Sequence, residues 1–270
     1  MSDFSRRDIL ALAASVGAAS AFSIPASAQQ GSGPAAHQMP IPADAPRITM
    51  LVHPRMVMQD LVGPMTVFDI LRCRIDLVWK DRMPVSTELG IPVTPTKTFA
   101  EADEAPDVLF VPGGLLGTID CMNDPEVMDF LRQRGERAKW VTAICTGVLT
   151  LAATGLLKDY DATANWVHAD LLPLMGARRV NRRVVKDRNR MTGAGVTAGL
   201  DFGLALAAEL RGEEAARRVQ LVLEYAPEPP FDGGTPEKEP EQAAALRART
   251  PMMRQKIEQA AEAAGKRLGI

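Results

Sequence analysis

Short, almost uniformly apolar runs alternate with segments of helical periodicity along most of this chain. The clearest runs are Arg47–His53, Ile75–Lys80, Val108–Val111 and Val141–Ile144. Between the first two, the segment Asp60–Leu71 places its apolar residues on one helical face. Strands that are apolar throughout are typical of a sheet buried on both faces, and strand–helix alternation is typical of parallel sheets. The pattern therefore predicts an α/β fold with a mostly parallel central sheet.

The later segments extend the same pattern. We predict a small β hairpin within Val85–Phe99, a polar hairpin within Val180–Met191, and helices beginning at Asp124-Pro125 and spanning Thr197–Leu210 and Glu213–Tyr225. Cys121 falls in a stretch that reads as a loop. After Tyr225 the chain becomes rich in Pro and Gly, and one charged helix is predicted over Glu241–Leu268. We assign residues 47–230 to the ordered domain and residues 231–270 to a C-terminal arm and helix.

The N-terminus carries the parts of an export signal. Arg6 and Arg7 precede a weakly apolar, alanine-rich stretch that ends in Ala26-Ser27-Ala28 and is too short to span a bilayer permanently. We expect residues 1–28 to be a twin-arginine signal peptide, with a disordered Ala/Ser tail as the alternative. Residues 29–46, rich in Gly and Pro, are expected to form a flexible linker. The mature protein would then be periplasmic, without stable membrane association.

Charge and composition argue against nucleic acid as a partner. The 270 residues carry a formal charge of -2, and only 5% of them are aromatic. The basic run from Arg178 to Arg190 lies in the predicted polar hairpin and is interpreted as a solvated face. The chain has 3 cysteines and 3 histidines, and none of them form a cluster with the spacing of a metal site. We therefore expect no metal and no other cofactor.

The segment around Cys145 has the pattern of a catalytic nucleophile. It passes from an apolar strand directly into a helix, with small residues at Ala143 and Gly147, as at the sharp turns that present nucleophiles in hydrolases. Amides and the dipole at a helix N-terminus favour a thiolate, so a lowered pKa is expected for this cysteine. The alternative is an inert cysteine buried in the core.

Residues that follow other strands are expected to lie near Cys145, because ligands of open α/β sheets bind beyond the carboxyl ends of the strands. Gly113 and Gly114 follow the third strand, and the backbone N–H groups of Gly114 and Thr146 form a candidate oxyanion-binding pair. Asp60 follows the first strand. It either caps the next helix or exchanges protons with the sulfur.

Asn165 and Trp166 are candidate contacts for a small-molecule substrate. His168 follows them closely and is the histidine that the sequence places nearest to Cys145. Two positions are open for its side chain. It either faces the site or lies in solvent at the start of a helix over Ala169–Met175.

These stretches resemble the ThiJ/PfpI family of the class I glutamine-amidotransferase-like superfamily over about Arg47–Pro230. The motifs that carry the resemblance are Asp60-x-x-Gly63-Pro64, Val111-Pro-Gly-Gly114, Ala143-Ile-Cys-Thr-Gly147, Thr192–Phe202 and Gln220–Phe231. The resemblance implies a flavodoxin-like three-layer sandwich and a homodimer. Within the family the likeness is greatest to enzymes that hydrate isonitriles, and it implies functional roles for Cys145, Thr146 and Asp60.

The implied activity is that of a lyase, which adds water to an isonitrile to give an N-substituted formamide. Thr146 stands where peptidase-like relatives have histidine, which argues against a cysteine–histidine protease, and Asn165 stands where the hydrating enzymes usually have histidine. Two alternatives stay open: a glyoxalase-like enzyme whose thiol adds to a carbonyl, and a non-catalytic ligand-sensing domain like those of some transcription regulators. Such regulators append a helix-turn-helix region, whereas only residues 231–270 follow Pro230.

Overall fold

A computed structural model of the chain describes residues 40–270. The predicted signal peptide and residues 29–39 of the predicted linker lie outside the described residues. Within them, helices and strands alternate as predicted, together with one 3-10 helix, Ala169–Met175. In chain order the elements are β1 (Arg47–Leu51), α1 (Met58–Ile70), β2 (Arg74–Trp79), β3 (Val85–Ser86), β4 (Pro92–Val93), β5 (Lys97–Thr98), β6 (Val108–Val111), α2 (Leu115–Met122), α3 (Pro125–Arg137), β7 (Trp140–Ile144), α4 (Gly147–Ala153), β8 (Asp161–Ala162), β9 (Arg178–Arg179), β10 (Val184–Asp187), β11 (Arg190–Gly193), α5 (Ala198–Arg211), α6 (Glu213–Val222), α7 (Pro240–Ala248) and α8 (Pro251–Arg267).

The central sheet has seven strands in the order β10-β11-β7-β6-β1-β2-β5. All neighbouring strands are parallel except β10 and β11, which pair antiparallel. Every residue of the central strand β6 is buried, whereas β2 near the edge is only partly buried. Helices α1 and α5 cover one face of the sheet and α2, α3, α4 and α8 cover the other, so the central strand β6 is enclosed on both sides. The predicted α/β three-layer sandwich with a mostly parallel sheet is confirmed.

Two local predictions are wrong. The stretch that contains Cys121 is not a loop but the helix α2, which buries Gly117, Thr118, Cys121 and Met122 along one face. The charged tail is not one helix but two, α7 and α8. Pro251 begins the second, because proline lacks a backbone N–H and is best tolerated in the first turn of a helix. The predicted hairpin within Val85–Phe99 is confirmed as β3 and β4, and the residues after it add β5 to the sheet edge.

Both ends of the described region are packed against the rest of the domain. Helix α8 buries Ile257, Ala260, Ala261 and Ala264, whose spacing forms one helical face. At the other end, Ala45 is buried and Asp44 forms an ion pair with Arg211 at 2.7 Å, so the last residues of the predicted linker are held in place. No helix within residues 40–270 combines the length and the apolar character needed to cross a bilayer.

Candidate active site

Four neighbouring strands, β11, β7, β6 and β1, end at one edge of the sheet because they run parallel. Cys145 directly follows β7, Gly113 lies two residues after β6, and Asp60 lies in the first turn of α1, after β1. The backbone N–H of Cys145 donates to the carbonyl oxygen of Gly193, at the end of β11, over 3.0 Å. The topology therefore brings these three predicted residues to the same edge.

The turn at Cys145 is sharp and strained. Its φ is 55°, in the left-handed region that residues other than glycine rarely adopt. Such conformations persist where the surrounding structure enforces them, and they are concentrated at functional sites. At Gly147, the first residue of α4, a Cβ would lie 2.3 Å from the carbonyl oxygen of Pro112. Glycine is therefore required for α4 to begin so close to the end of β6.

Asp60 and Cys145 both lie close to Gly113. The N–H of Gly113 donates to Oδ2 of Asp60 at 2.9 Å. A Cβ on Gly113 would lie 2.6 Å from that oxygen and 2.8 Å from the Cβ of Cys145, so no side chain fits between them. The residue Asp60 is 0% exposed, and its second oxygen, Oδ1, has no hydrogen-bond partner among the described residues. A buried carboxyl with a free oxygen beside a thiol can exchange protons with it.

The capping role considered for Asp60 is wrong. The helix α1 begins after Val57, which provides no side-chain cap. Instead, the carboxylate of Glu88, far away in the sequence, accepts the N–H of Met58 at 2.8 Å. The Asp60 side chain is therefore not used to stabilise its own helix, and it remains beside the cysteine.

Burial controls the protonation of this pair. It raises the pKa of Asp60 to about 6, against the opposing effect of hydrogen bonds from Gly113 and Cys145. Burial, followed by the charge of Asp60, raises the pKa of the Cys145 thiol well above its ordinary value, while the N–H of Thr146 and the side chain of Asn165 act in the opposite direction. The expected lowering of this pKa is therefore wrong. At neutral pH the resting pair is a thiol beside a carboxylate.

The hydroxyl of Thr146 holds the glycine turn after β6. Its Oγ1 accepts the N–H of Gly114 at 2.9 Å and the hydroxyl of Thr118, also at 2.9 Å. Because the Gly114 N–H is used in this way, the predicted oxyanion pair of Gly114 and Thr146 is not formed. Of those two amides, it is the Thr146 N–H that interacts with the Cys145 sulfur.

The segment after β8 places Asn165 against the cysteine. The N–H of Asn165 donates to the carbonyl oxygen of Cys145 at 3.2 Å. Its Oδ1 accepts the N–H of Val167 at 3.1 Å, so the amide nitrogen is the part of the side chain that is free to donate to the sulfur. Asn165 is therefore a direct neighbour of the thiol.

Trp166 and His168 line two separate clefts, and Cys145 lines neither of them. Trp166 lines a cleft of about 190 Å³ together with residues of the C-terminal segment. His168 is buried rather than in solvent, and it lines a cleft of about 390 Å³ whose lining does not include Cys145 or Asp60.

Two further neighbours of the site, His53 and Thr118, were not predicted. His53 is fully buried, with Nε2 at 3.2 Å from the carbonyl oxygen of Pro112. It follows β1 at the same sheet edge, so the rule that indicated Asp60 also indicates His53. Thr118 was missed because its helix was read as a loop. Within residues 40–270 no three His, Cys, Asp or Glu side chains are grouped so that they could hold a metal ion.

Comparison with known proteins identifies relatives of this architecture. A model of the DJ-1/PfpI family matches residues 46–209. Isonitrile hydratase of Pseudomonas putida is 46% identical over 195 residues, which cover 72% of this chain and 85% of the relative. The crystal structure of a ThiJ/PfpI family protein from Pseudomonas syringae has 41% sequence identity and a TM-score of 0.76, covering 90% of this chain and 99% of that one.

A transcription regulator also shares part of the sequence. The HTH-type transcriptional regulator GbdR of Pseudomonas aeruginosa is 31% identical over 140 residues, or 50% of this chain and 37% of the regulator. The shared part is thus a domain within a larger protein in that relative. The match of the family model and the extent of the P. putida similarity confirm the resemblance found in the sequence: this chain belongs to the DJ-1/PfpI family.

Proposed function

We propose that this chain is an isonitrile hydratase, which adds water to R–N≡C to give an N-substituted formamide. The observation that carries the proposal is the Cys145–Asp60 pair, a thiol at a strained turn next to a buried carboxyl with a pKa of about 6. Such a pair provides a nucleophile and a proton carrier in one site shielded from water. The 46% identity to the isonitrile hydratase of P. putida supports the same reaction.

In the first step the sulfur of Cys145 forms a bond to the isonitrile carbon. Its proton passes to Asp60 and then to the same carbon, which gives the thioimidate R–N=CH–S–Cys145 with no net gain or loss of protons or electrons. A soft, polarizable sulfur suits this carbon, which is bonded only to nitrogen. The raised pKa of Asp60 lies close to neutral pH, where a general base is most effective.

In the second step water adds to the carbon of the thioimidate. Asp60 takes a proton from the water and passes it to the imine nitrogen, which gives R–NH–CH(OH)–S–Cys145. The carbon–sulfur bond then breaks as the hydroxyl proton passes to Asp60 and from it to the sulfur, so that the formamide R–NH–CHO leaves and the thiol is restored. The Thr146 N–H and the Asn165 amide interact with the sulfur, so they stabilise its negative charge as this bond breaks.

The direct test is product formation by the purified full-length protein. Cyclohexyl isocyanide is supplied, and N-cyclohexylformamide is measured by mass spectrometry. In water enriched in ¹⁸O, we expect one labelled oxygen in the formamide, and rapid acid quenching should trap the substrate as a mass adduct on Cys145. The Cys145→Ala protein should form neither the product nor the adduct.

A parallel assay with methylglyoxal separates this proposal from the carbonyl-directed alternative. Lactate without any formamide would identify a glyoxalase-like enzyme, and binding of either compound without turnover would favour a sensing domain. Both results contradict the proposal. The homodimer implied by the family resemblance stays a prediction, and sedimentation of the same sample measures it.

A further inference from the structure

A cleft of about 390 Å³ lies between the 3-10 helix, β9 and the junction of α7 and α8. Its lining is mainly basic, and we name it the arginine cleft. The polar residues that line it are His168, Asp170, Arg179, Arg247, Thr250 and Arg254. We propose that the arginine cleft binds a small oxyanion, with phosphate as the preferred type. This inference does not depend on the isonitrile reaction.

The single carboxylate of the cleft is already neutralised. Arg254 binds Asp170 with two hydrogen bonds, from Nη1 at 2.9 Å and from Nη2 at 2.7 Å. A two-point contact of this kind is the strong form of an arginine–carboxylate pair. Asp170 therefore offsets the charge of Arg254, and the two other arginines of the cleft have no ion-pair partner within residues 40–270.

Arg247 and Arg179 keep free charge and free donors. Neither forms an ion pair with a carboxylate within residues 40–270. Arg247 is held in place by one hydrogen bond to the carbonyl oxygen of Trp166 at 3.2 Å and by its position 5.0 Å from the centre of the Trp166 ring. A guanidinium has five N–H donors in a fixed plane, so most donors of Arg247 remain unused. Preorganised guanidinium groups favour the oxygens of phosphate and carboxylate.

His168 provides the second, independent indication of a ligand. It is only 4% exposed, and its buried Nδ1 has no hydrogen-bond partner among residues 40–270. Burial, together with the charges of Arg254 and Arg247, lowers its pKa to about 4, against the opposing charge of Asp170. A buried imidazole without a partner is costly. An oxyanion in the cleft would accept its N–H and screen it from the arginines.

The charged groups around His168 set the pH dependence of such binding. They are Asp170 on the 3-10 helix, Arg179 on β9, Arg247 on α7 and Arg254 on α8, and Glu258 lies farther out, 3.7 Å from Nε of Arg254. A bound anion reduces the repulsion between His168 and the two arginines nearest to it. Phosphate should therefore raise the pKa of His168, and by linkage protonation of His168 should tighten the binding of phosphate.

The test uses the full-length protein and inorganic phosphate. The chain has only 3 histidines, so their ring signals can be followed separately by NMR. We expect a saturable shift of the His168 signal, and a dissociation constant that Arg247→Gln increases about tenfold or more through loss of one charged hydrogen-bond partner. Arg179→Gln, on a different element, should act in the same direction, which guards against a folding defect at Arg247.

Arg249→Gln is the matched control, because Arg249 is exposed at the end of α7 and does not line the cleft. It removes the same charge and should leave phosphate binding unchanged. The absence of a saturable shift of the His168 signal would overturn the proposal. Equal weakening of phosphate binding by Arg247→Gln and Arg249→Gln would also overturn it, since binding would then depend only on the overall surface charge. Acetate, with one negative charge, should bind more weakly than phosphate. Equal or tighter binding of acetate would refute the preference for phosphate.

Discussion

Cys145 and Cys121 are both buried thiols, 4% and 2% exposed, but their surroundings differ. Cys121 lies in the last turn of the regular helix α2 and packs in an apolar cluster, and burial raises its pKa to about 12. Cys145 has a left-handed backbone and interacts with the carboxyl of Asp60, the N–H of Thr146 and the side chain of Asn165. Burial raises the pKa of both thiols, so burial alone does not mark the reactive one.

The difference lies in where the thiol proton can go. The charged groups that influence Cys121 act on it only through space, and none of them forms a hydrogen bond with its sulfur. Cys145 lies beside a carboxyl with a pKa of about 6, which accepts a proton near neutral pH. A resting thiol can therefore become a nucleophile at the moment when the sulfur bonds to the substrate, without a stable thiolate beforehand.

Replacing each cysteine by alanine gives the largest expected contrast. In Cys145→Ala, we expect formamide production to fall on the order of 10⁴-fold or more, because the nucleophile is removed. In Cys121→Ala, kcat/KM should be unchanged, while a small cavity lowers the free energy of unfolding by about 1 kcal/mol. Initial rates and urea unfolding measure the two effects. A comparable loss of rate in Cys121→Ala would contradict the conclusion that only Cys145 is the reactive thiol.

The change Asp60→Asn should separate activity from stability. Asparagine keeps an oxygen that can accept the Gly113 N–H but cannot carry the proton of the thiol. We expect kcat to fall about 10²- to 10⁴-fold, the usual contribution of a general base. The free energy of unfolding at about pH 8 should rise by about 1–3 kcal/mol, because the variant no longer buries a charge.

The gain in the free energy of unfolding that is expected for Asp60→Asn depends on pH in a defined direction. The pKa of Asp60 is about 6 in the folded protein, above its ordinary value of 3.8, so the folded state binds more protons than the unfolded state between these values. The contribution of Asp60 to stability is therefore most favourable below about pH 4 and is lost as the pH rises through about 6. Urea unfolding of both proteins at about pH 4 and pH 8 should show a larger difference at the higher pH. An equal difference at both values contradicts the assignment of the raised pKa.

The change Gly113→Ala tests whether the reaction requires the carboxyl of Asp60 to lie close to the thiol of Cys145. The new Cβ would lie 2.6 Å from Oδ2 of Asp60 and 2.8 Å from the Cβ of Cys145, so the two residues must move apart. We expect kcat to fall about 10²-fold, as for a displacement on the order of 1 Å, and the fold to lose about 1–3 kcal/mol. Gly195→Ala is the control, because nothing lies within 4 Å of a Cβ there. Full activity in Gly113→Ala would show that the contact is dispensable.

The sequence predicted the parts of this site that depend on local pattern. Apolar runs located β1, β6 and β7, and the small residue at Gly147 marked the sharp turn that presents Cys145. It did not predict the direction of the cysteine pKa, because two effects of different size compete. Charge effects at a helix N-terminus are worth about 0.3–1 kcal/mol at exposed sites, whereas full burial shifts a pKa by up to about 3–5 units. The extent of burial becomes known only once the layers are packed.

Contacts between distant segments were likewise hidden from the sequence. Glu88, in the turn between β3 and β4, takes the capping role that was considered for Asp60. The Gly114 amide is used by Thr146, which lies on the next strand–helix turn. Neither pairing leaves a pattern within one segment of the sequence. The position of a residue after a strand therefore predicts which residues lie near one another, but not which of their atoms form hydrogen bonds.

The smallest expected effects on the reaction rate come from changes at two threonines close to each other in the chain. Thr146→Val removes an oxygen that accepts the Gly114 N–H and the Thr118 hydroxyl, and leaves these buried donors unpaired. We expect a loss of about 1–3 kcal/mol in the free energy of unfolding, and a decrease in kcat/KM smaller than in Gly113→Ala. The rate falls because the turn that carries Gly113 becomes less well held, while the Cys145–Asp60 pair itself is intact.

Thr150→Val is the matched change within α4, since Thr150 is also fully buried but its Oγ1 has no partner among the described residues. Removing an unpaired buried hydroxyl should leave stability unchanged or increase it by up to about 1 kcal/mol, with no change in kcat/KM. Urea unfolding measures both variants under the same conditions. If Thr146→Val is no less stable than Thr150→Val, the hydroxyl of Thr146 does not hold the glycine turn, and the positioning of Cys145 must then depend on Asp60, Gly113 and Asn165.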